Sequence, residues 1–135
     1  MSAEALALPP PVMTGGDVST LAIEGLDVRT GLSYVMGSGA LYLSLLRKFV
    51  PGQRDTVAKI RAALDDGDPV TAERLAHTLK GVAGTIGAGA LQALAAEADR
   101  RLKAGEARVT IDAALDRLEP ALLRLCEALA RLPPA

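Results

Sequence analysis

Apolar residues recur every three or four positions over most of this 135-residue chain, and this period constrains its fold more than any other feature. The last segment, residues 109–132, shows it most clearly. Its apolar positions are Ile111, Leu115, Leu118, Leu122, Leu125 and Leu129. Residues at this spacing lie on one face of an α-helix, whereas a half-buried strand needs alternation at every second residue. The chain is therefore predicted to fold as amphipathic helices.

Three further segments have the same period, and they run over residues 40–64, 69–86 and 88–104. The residues expected to face inward are Leu41, Leu45, Phe49, Val57, Ile60, Leu64, Leu75, Leu79, Val82, Ile86, Leu91, Leu94, Ala98 and Leu102. Asp68 and Pro69 suit the N-cap and the first position of a helix, and Gly87 and Gly105 suit helix ends. The four long segments are thus separated by short turns.

Two other features complete the helix assignment. A short helix is predicted from Asp27, as its N-cap, to about Met36, and glycine-containing residues 37–39 end it. Pro51 should kink or split its segment and Pro120 should bend the last one, because proline lacks an N–H and crowds the preceding turn.

These segments predict an all-α fold, an antiparallel up-down-up-down four-helix bundle with a short extra N-terminal helix. Half of the residues are hydrophobic but only 2% are aromatic, so the core must consist mainly of Leu, Ala, Val and Ile. Residues 1–20, which contain three consecutive prolines and a glycine pair, are predicted to be a flexible linker or tail. Residues 21–135 are predicted to form the bundle domain.

Charge and cysteine content exclude several functions. The formal net charge is −1, from 15 basic and 16 acidic residues, and no basic stripe predicts nucleic-acid binding. Cys126 is the only cysteine, so neither an intrachain disulfide nor a thiol-rich metal site is expected, and its apolar neighbours predict a buried thiol. No apolar run approaches the roughly 20 residues needed to span a bilayer. A cytoplasmic domain without membrane contact is expected.

The only histidine, His77, lies on the predicted outer face of its helix. It is about 160° from both Leu75 and Leu79 at 100° per residue. Lys80 lies one turn further on, and Gly81 and Gly84 share its side of the helix. Glycine in a helix interior costs about 1 kcal/mol relative to alanine, so bare space beside the histidine is expected to be needed.

This arrangement suits an exposed nucleophile with a nearby cation and a flat surface for a partner. The neutral imidazole of His77 has a nitrogen lone pair that can attack a phosphoryl group, and Lys80 can offset the phosphoryl charge. The sequence contains neither a glycine-rich nucleotide loop of the GxxxxGK[ST] type nor a kinase signature set. The phosphoryl group is therefore expected to arrive from, and leave to, another protein rather than to come from ATP.

The motif HTLKG at residues 77–81, continued by VAGTIG at 82–87, closely resembles the signature of histidine-containing phosphotransfer (HPt) domains. Upstream, LYLSLLRKF at 41–49 is similar to a helix of that family. IRAAL at 60–64 and AERLA at 72–76 match the usual approach to the histidine. The resemblance extends from about residue 26 to 132, which is nearly the whole predicted bundle.

The resemblance implies a phosphorelay intermediate. His77 would accept a phosphoryl group from a receiver-domain aspartate and pass it to another receiver aspartate, with Lys80 stabilising it. Gly81 and Gly84 would let the receiver dock, and the exposed neighbours Glu73, Arg74 and Thr78 would contribute to that surface.

The resemblance also implies the partners. They would be receiver domains of a hybrid sensor kinase or a response regulator, and the chain would be a monomer. It would have no cofactor or metal of its own, since Mg²⁺ belongs to the receiver, and no ATP-dependent kinase activity. The domain could be free-standing or the cytoplasmic C-terminal module of a membrane-bound hybrid sensor kinase.

Some alternatives remain open. Asp99 matches the position of a glutamine that contributes to the site in some HPt domains, while Gln92 lies elsewhere on the same helix, so no role is assigned to Asp99. A non-catalytic adaptor that binds a receiver or kinase without transfer is the main alternative. A histidine-based hydrolase is disfavoured, because the sequence reveals neither a nucleophile nor an orienting carboxylate for His77.

Overall fold

The computed structural model describes residues 23–132, and these form a helical bundle. Its helices, in chain order, are α1 (Val28–Ser33), α2 (Gly39–Gln53), α3 (Thr56–Asp65), α4 (Pro69–Thr85), α5 (Gly89–Lys103) and α6 (Arg108–Leu129). Helices α3 to α6 each pack against the next, and α6 closes the bundle against α2 and α3. The all-α prediction is confirmed. The predicted linker over residues 1–20 lies outside the described residues.

None of the helices between residues 23 and 132 combines the length and the apolar character that crossing a bilayer requires.

Two aspartates begin helices by the same local device. The Asp27 carboxylate accepts hydrogen bonds from the Thr30 N–H at 3.2 Å and from its hydroxyl at 2.8 Å. Asp68 accepts the equivalent bonds from Thr71 at 3.1 and 2.6 Å, and Pro69 occupies the first turn of α4. Each cap satisfies a backbone donor that would otherwise lack a partner. The predicted starts of α1 and α4 are confirmed.

The segment around Pro51 is split, but not at the proline itself. Pro51 lies within the last turn of α2, and the chain leaves the helix only at Arg54 and Asp55 before α3 begins. Helix α1 also ends earlier than predicted, at Ser33 rather than near Met36. Met36 and the following glycine adopt φ values of 55° and 79°, which a right-handed helix cannot contain.

Alanines, more than the predicted leucines, form the buried face of α4. Ala72, Ala76 and Ala83 are fully buried, whereas Leu75 and Val82 are only partly so. The helix is held between α3 and α5, and small side chains on the contact face let the helices approach closely. The larger residues then cover the edges of the contact. Three further residues predicted to face inward are only partly buried: Leu45, Leu64 and Leu94.

The core position predicted for one residue of α2 is wrong. Leu41 is 49% exposed, and the adjacent Tyr42 is buried in its place. The Tyr42 hydroxyl donates a buried hydrogen bond of 2.7 Å to the carbonyl of Ile86, at the end of α4. This polar contact turns the helix so that Tyr42, rather than Leu41, faces the bundle. The inward stripe of α6 and the burial of Cys126 are confirmed.

Close backbone approach joins α1 to the end of α4. The Asp27 N–H donates to the Gly87 carbonyl at 2.8 Å. A Cβ at Gly31 would overlap the Tyr42 ring, and one at Gly87, where φ is +85°, would overlap the Asp27 carbonyl. These glycines therefore let α1 pack closely against α4, the helix that contains His77.

Tyr42→Phe is expected to destabilise the fold by about 1–3 kcal/mol, because the buried Ile86 carbonyl loses its donor. The matched control is Tyr34→Phe, since the Tyr34 side chain is 63% exposed. Urea unfolding followed by circular dichroism gives both free energies of unfolding. Equal stability of the two variants would show that the buried hydroxyl contributes nothing.

The same tyrosine predicts a loss of stability in alkali. Burial, with a smaller contribution from the Asp27 charge, raises the pKa of Tyr42 from 10.0 to about 12. Between these values the unfolded chain releases the phenol proton while the folded protein keeps it, so stability falls as the pH rises. Wild type should therefore lose its advantage in unfolding free energy over Tyr42→Phe as the pH rises from about 9.5 to about 11.5. This range covers most of the interval between the two pKa values. A constant difference would contradict this.

Candidate functional site

His77 is presented to solvent by the middle of α4. Its side chain is 57% exposed, and the neighbouring Ala76 and Leu79 are buried on the other face of the helix. The cap and Pro69 fix where α4 begins, and burial of its alanine face leaves the imidazole on the solvent-exposed side of the helix. The exposed position predicted for His77 agrees with this placement.

A single buried carboxylate on the adjacent helix α5 organises the polar groups around His77. The side chain of Asp99 is only 3% exposed, and its Oδ2 lies 3.3 Å from His77 Nδ1. The same oxygen lies 3.3 Å from Lys80 Nζ and 3.5 Å from Lys103 Nζ. One carboxylate oxygen therefore faces the imidazole and two ammonium groups.

The sequence reasoning missed this arrangement. It found no orienting carboxylate for His77, and the structure corrects that by supplying Asp99 from the next helix. One signal was present: Asp99 stands beside inward-facing Ala98 and one helical turn after Ala95, where a charge is unexpected. A charged residue within an apolar stripe indicates a buried polar site, although periodicity alone does not reveal its partners.

The charge balance keeps Asp99 ionised. Burial by itself would raise the pKa of Asp99, but hydrogen bonds with Glu73, His77 and Lys80 and the charge of Lys103 lower it to about 2. The hydrogen bond between Glu73 and Asp99 raises the pKa of Glu73, and burial adds to this. Asp99 is therefore the stronger acid of this pair, and it keeps its negative charge for His77 and the lysines.

The acidic pair and His77 could also be considered as metal ligands. Glu73, His77 and Asp99 offer ligand atoms within 4.8 Å of one another. However, the ammonium groups of Lys80 and Lys103 already lie against Asp99, and Lys103 Nζ is also 3.8 Å from Glu73 Oε2. A divalent cation would meet two positive charges there, which makes the cluster poorly suited to hold one. The expectation that no metal is bound stays a prediction.

The two glycines near His77 differ in their surroundings. A Cβ at Gly81 would meet nothing within 4 Å, so this position is open. A Cβ at Gly84 would overlap the side-chain amide of Gln92, which reaches across from α5. The prediction that no side chain covers either glycine is thus wrong for Gly84. The absent side chain there makes room for Gln92 within the domain.

An apolar groove borders His77 on its other side, between α2 and α4, with a volume of about 530 Å³. Its walls include Leu45, Phe49, Val82 and Ile86, besides several polar residues. These four residues were expected in the core, and an opening beside them was not predicted from the sequence. The surface around the groove includes Gly81 and the exposed Thr78, and Arg74 is exposed one turn before it. Glu73 is turned toward Asp99 and is only 26% exposed.

Comparison with known proteins agrees with this geometry. A family model described as the Hpt domain matches residues 44–132, about two thirds of the chain. The matched range contains α3 to α6 and every residue of the site around His77. Neither the curated proteins nor the solved structures include a match to the chain.

Proposed function

Because the chain belongs to the histidine-containing phosphotransfer (Hpt) family, we propose that His77 is the residue that carries the phosphoryl group. Hpt domains are phosphotransfer carriers in two-component phosphorelays and interact with receiver domains; they are not kinases. The observation that supports His77 is its placement. It is the only histidine of the chain, its side chain is 57% exposed, and among residues 23–132 its hydrogen-bond partner is Asp99, at Nδ1.

Nε2 of His77 is then the nucleophile. Its lone pair forms a bond to the phosphorus of a receiver aspartyl phosphate, and the bond between phosphorus and the aspartate oxygen breaks. The electron pair of that bond returns to the receiver carboxylate. The reverse sequence passes the group to an aspartate of a second receiver. Mg²⁺ acts on the receiver in this proposal, so His77 needs no cofactor of its own.

Lys80 supplies the positive charge for the phosphoryl oxygens. Its ammonium group lies 3.3 Å from Asp99 Oδ2, on the same side of α4 as the imidazole, and its side chain is one-third exposed. A long, partly exposed side chain can turn from Asp99 toward a group on Nε2 without movement of the helix. The developing negative charge is then stabilised by a cation already held beside the ring.

The receiver is proposed to dock over the groove between α2 and α4. Apolar Leu45, Phe49 and Val82 line this groove beside His77, and Gly81 leaves the surface of α4 flat. Arg74 and Thr78 extend the surface along α4, and Glu73 and Gly84 stand at its border with α5. Docking of this kind involves a modest, transient interface, as a relay partner must leave after each transfer. A monomeric chain is sufficient for it.

The partners proposed are the receiver domains of a hybrid sensor kinase, a response regulator, or both, in the cytoplasm. The adaptor alternative differs from this proposal in one respect, since an adaptor would bind the receiver without accepting its phosphoryl group. The labelling of His77 therefore separates the two.

His77→Gln is expected to abolish labelling, because glutamine lacks the nucleophilic nitrogen. Purified wild type and variant are incubated with a panel of radiolabelled, phosphorylated receiver domains from the source organism. Wild type should acquire an acid-labile, alkali-stable label, and circular dichroism should show equal helicity for both. A variant labelled as well as wild type would refute the role of His77. Receiver binding without any labelling of wild type would favour the adaptor.

Gly81→Arg is expected to slow transfer about tenfold or more, which corresponds to about 1.4 kcal/mol, because the new side chain blocks the docking surface. Its stability should equal or exceed that of wild type, since position 81 is open and glycine is a poor helix former.

Ala113→Arg is the matched control for this change. It adds the same side chain at an exposed position of α6, a helix that packs against α2, α3 and α5. Labelling rates from one phosphorylated receiver and thermal unfolding are measured for both variants. Equal rates for the two would exclude docking over Gly81.

A further inference from the structure

We propose that the groove between α2 and α4 is a binding site for a small amphipathic carboxylate, which lays its apolar chain in the groove and its carboxylate against Lys48. The binding itself does not depend on the proposed role of His77. Its consequence does rest on that role. Because His77 lines the same groove, a bound ligand covers the surface beside the imidazole and hinders labelling by a receiver.

The size and the walls of the groove suit a small apolar molecule. Its volume of about 530 Å³ falls within the range of about 300–1,000 Å³ that is typical of small-molecule sites. Phe49 and Ile86 form part of its walls although each is only 1% exposed, so the groove reaches the hydrophobic core. Leu45 and Val82 are partly buried and keep apolar surface in contact with solvent. A ligand that covers this surface removes it from water, which favours binding.

The groove has the outline of an extended chain. On the side of α4, its lining residues run from His77 to Ile86, a distance of about 13 Å at 1.5 Å per residue. On the opposite side they run from Leu45 to Gln53 along α2. An alkyl chain that lies along this trough contacts both helices over its whole length.

The charges around the groove favour an anion. Besides His77, Lys48 is the one ionisable side chain among the described residues that line it, so no carboxylate of this part of the chain lines the groove. None of the ion pairs within residues 23–132 involves Lys48. Its ammonium group can therefore bind a ligand carboxylate without losing an internal partner, whereas it repels a cationic head group.

Two smaller cavities of the structure lack this preference for one charge. One, of about 270 Å³, is lined by Glu24 and Arg124, and the other, of about 300 Å³, by Arg54 and Glu127. Each places a carboxylate and a guanidinium around the same space, so their charges offset each other. The groove beside His77 combines a larger volume with a lysine that no lining carboxylate neutralises.

The direction of α2 places the ligand carboxylate near His77. Tyr42, early in α2, donates a hydrogen bond to Ile86 at the end of α4, so the two helices run antiparallel along the groove. Lys48 comes later in α2 and therefore lies toward the end of the groove that His77 and Thr78 line. A carboxylate there repels the aspartyl phosphate of an approaching receiver. Ligand binding and receiver docking are thus mutually exclusive.

The first test uses decanoate as the probe and needs no receiver. Two-dimensional ¹H–¹⁵N correlation spectra of ¹⁵N-labelled protein are recorded as decanoate is added below its micellar concentration. The amide signals of Leu45, Gly81 and Val82 should shift and reach saturation. Decyltrimethylammonium, which has a similar chain but the opposite charge, should bind more weakly. Shifts that do not saturate, shifts that map elsewhere, or equal binding of the cationic amphiphile would overturn the proposal.

Variants of the groove locate the two halves of the ligand. Lys48→Gln should weaken decanoate binding about two- to fivefold, the usual effect of losing a partly exposed ion pair. The matched control is Lys59→Gln, which removes an exposed lysine of α3 outside the groove and should leave the affinity unchanged. Leu45→Gln should weaken binding about fivefold or more, because it sets an amide against the chain.

Circular dichroism establishes that the variants keep their helicity. Equal affinities of Lys48→Gln and Lys59→Gln would overturn the placement of the carboxylate, and this pair decides the matter even if Leu45→Gln fails to fold.

The second test measures labelling of His77 by a phosphorylated receiver with and without decanoate. A concentration that fills about nine tenths of the grooves should slow labelling about tenfold, since only the empty domains can dock the receiver. The same concentration should slow labelling of Lys48→Gln less, which excludes an effect of decanoate on the receiver. Unchanged labelling of a domain with decanoate bound would overturn the regulatory consequence.

The two tests fail in distinguishable ways. If wild type is never labelled by any receiver, the role of His77 fails, and the spectra still decide whether decanoate binds. If wild type is labelled but decanoate does not bind in the groove, only the present inference is refuted.

Discussion

The close packing of α4 against α5 along a face of alanines is the contact on which the site depends. Ala72, Ala76 and Ala83 on one helix and Ala95 and Ala98 on the other are buried with little side-chain volume between the backbones. Only this short separation lets an aspartate, which has a short side chain, reach an imidazole on the neighbouring helix. Larger residues on the same face would move Asp99 out of hydrogen-bonding range. Small side chains in this part of the core therefore determine the geometry of the site as well as the packing of the bundle.

Burying an ionised carboxylate costs desolvation free energy, and the groups around Asp99 offset that cost. An isolated charge at a position 3% exposed would be strongly unfavourable, whereas paired and hydrogen-bonded charges are tolerated. His77, Lys80 and Lys103 all lie within 3.5 Å of Asp99 Oδ2, and the two lysines offset its charge. Two of these groups, His77 and Lys80, are also the ones that the proposed phosphotransfer would use, so the interactions that stabilise the resting site also hold both beside each other for a phosphoryl group. Stability and function are therefore coupled through one carboxylate.

Much of the fold could be predicted from the sequence because its causes are local. Asp68 and Pro69 start α4, glycines with left-handed φ end the helices, and the stripe of α6 is buried as its period indicates. The errors arose where a distant contact decides the outcome. Tyr42 is buried instead of Leu41 because its hydroxyl donates a hydrogen bond to the Ile86 carbonyl at the C-terminal end of α4. No pattern within α2 contains that information.

For the site, the sequence by itself determined that His77 is exposed and that Lys80 lies beside it, since both follow from the period of a single helix. Only the tertiary structure decided what the ring contacts and what covers each glycine. Asp99 reaches the histidine and Gln92 covers Gly84 because α5 packs at a particular distance and rotation against α4. That placement depends on side-chain volumes along both helices at once. Contacts within a helix follow from its spacing, but contacts between helices follow from how the whole core is filled.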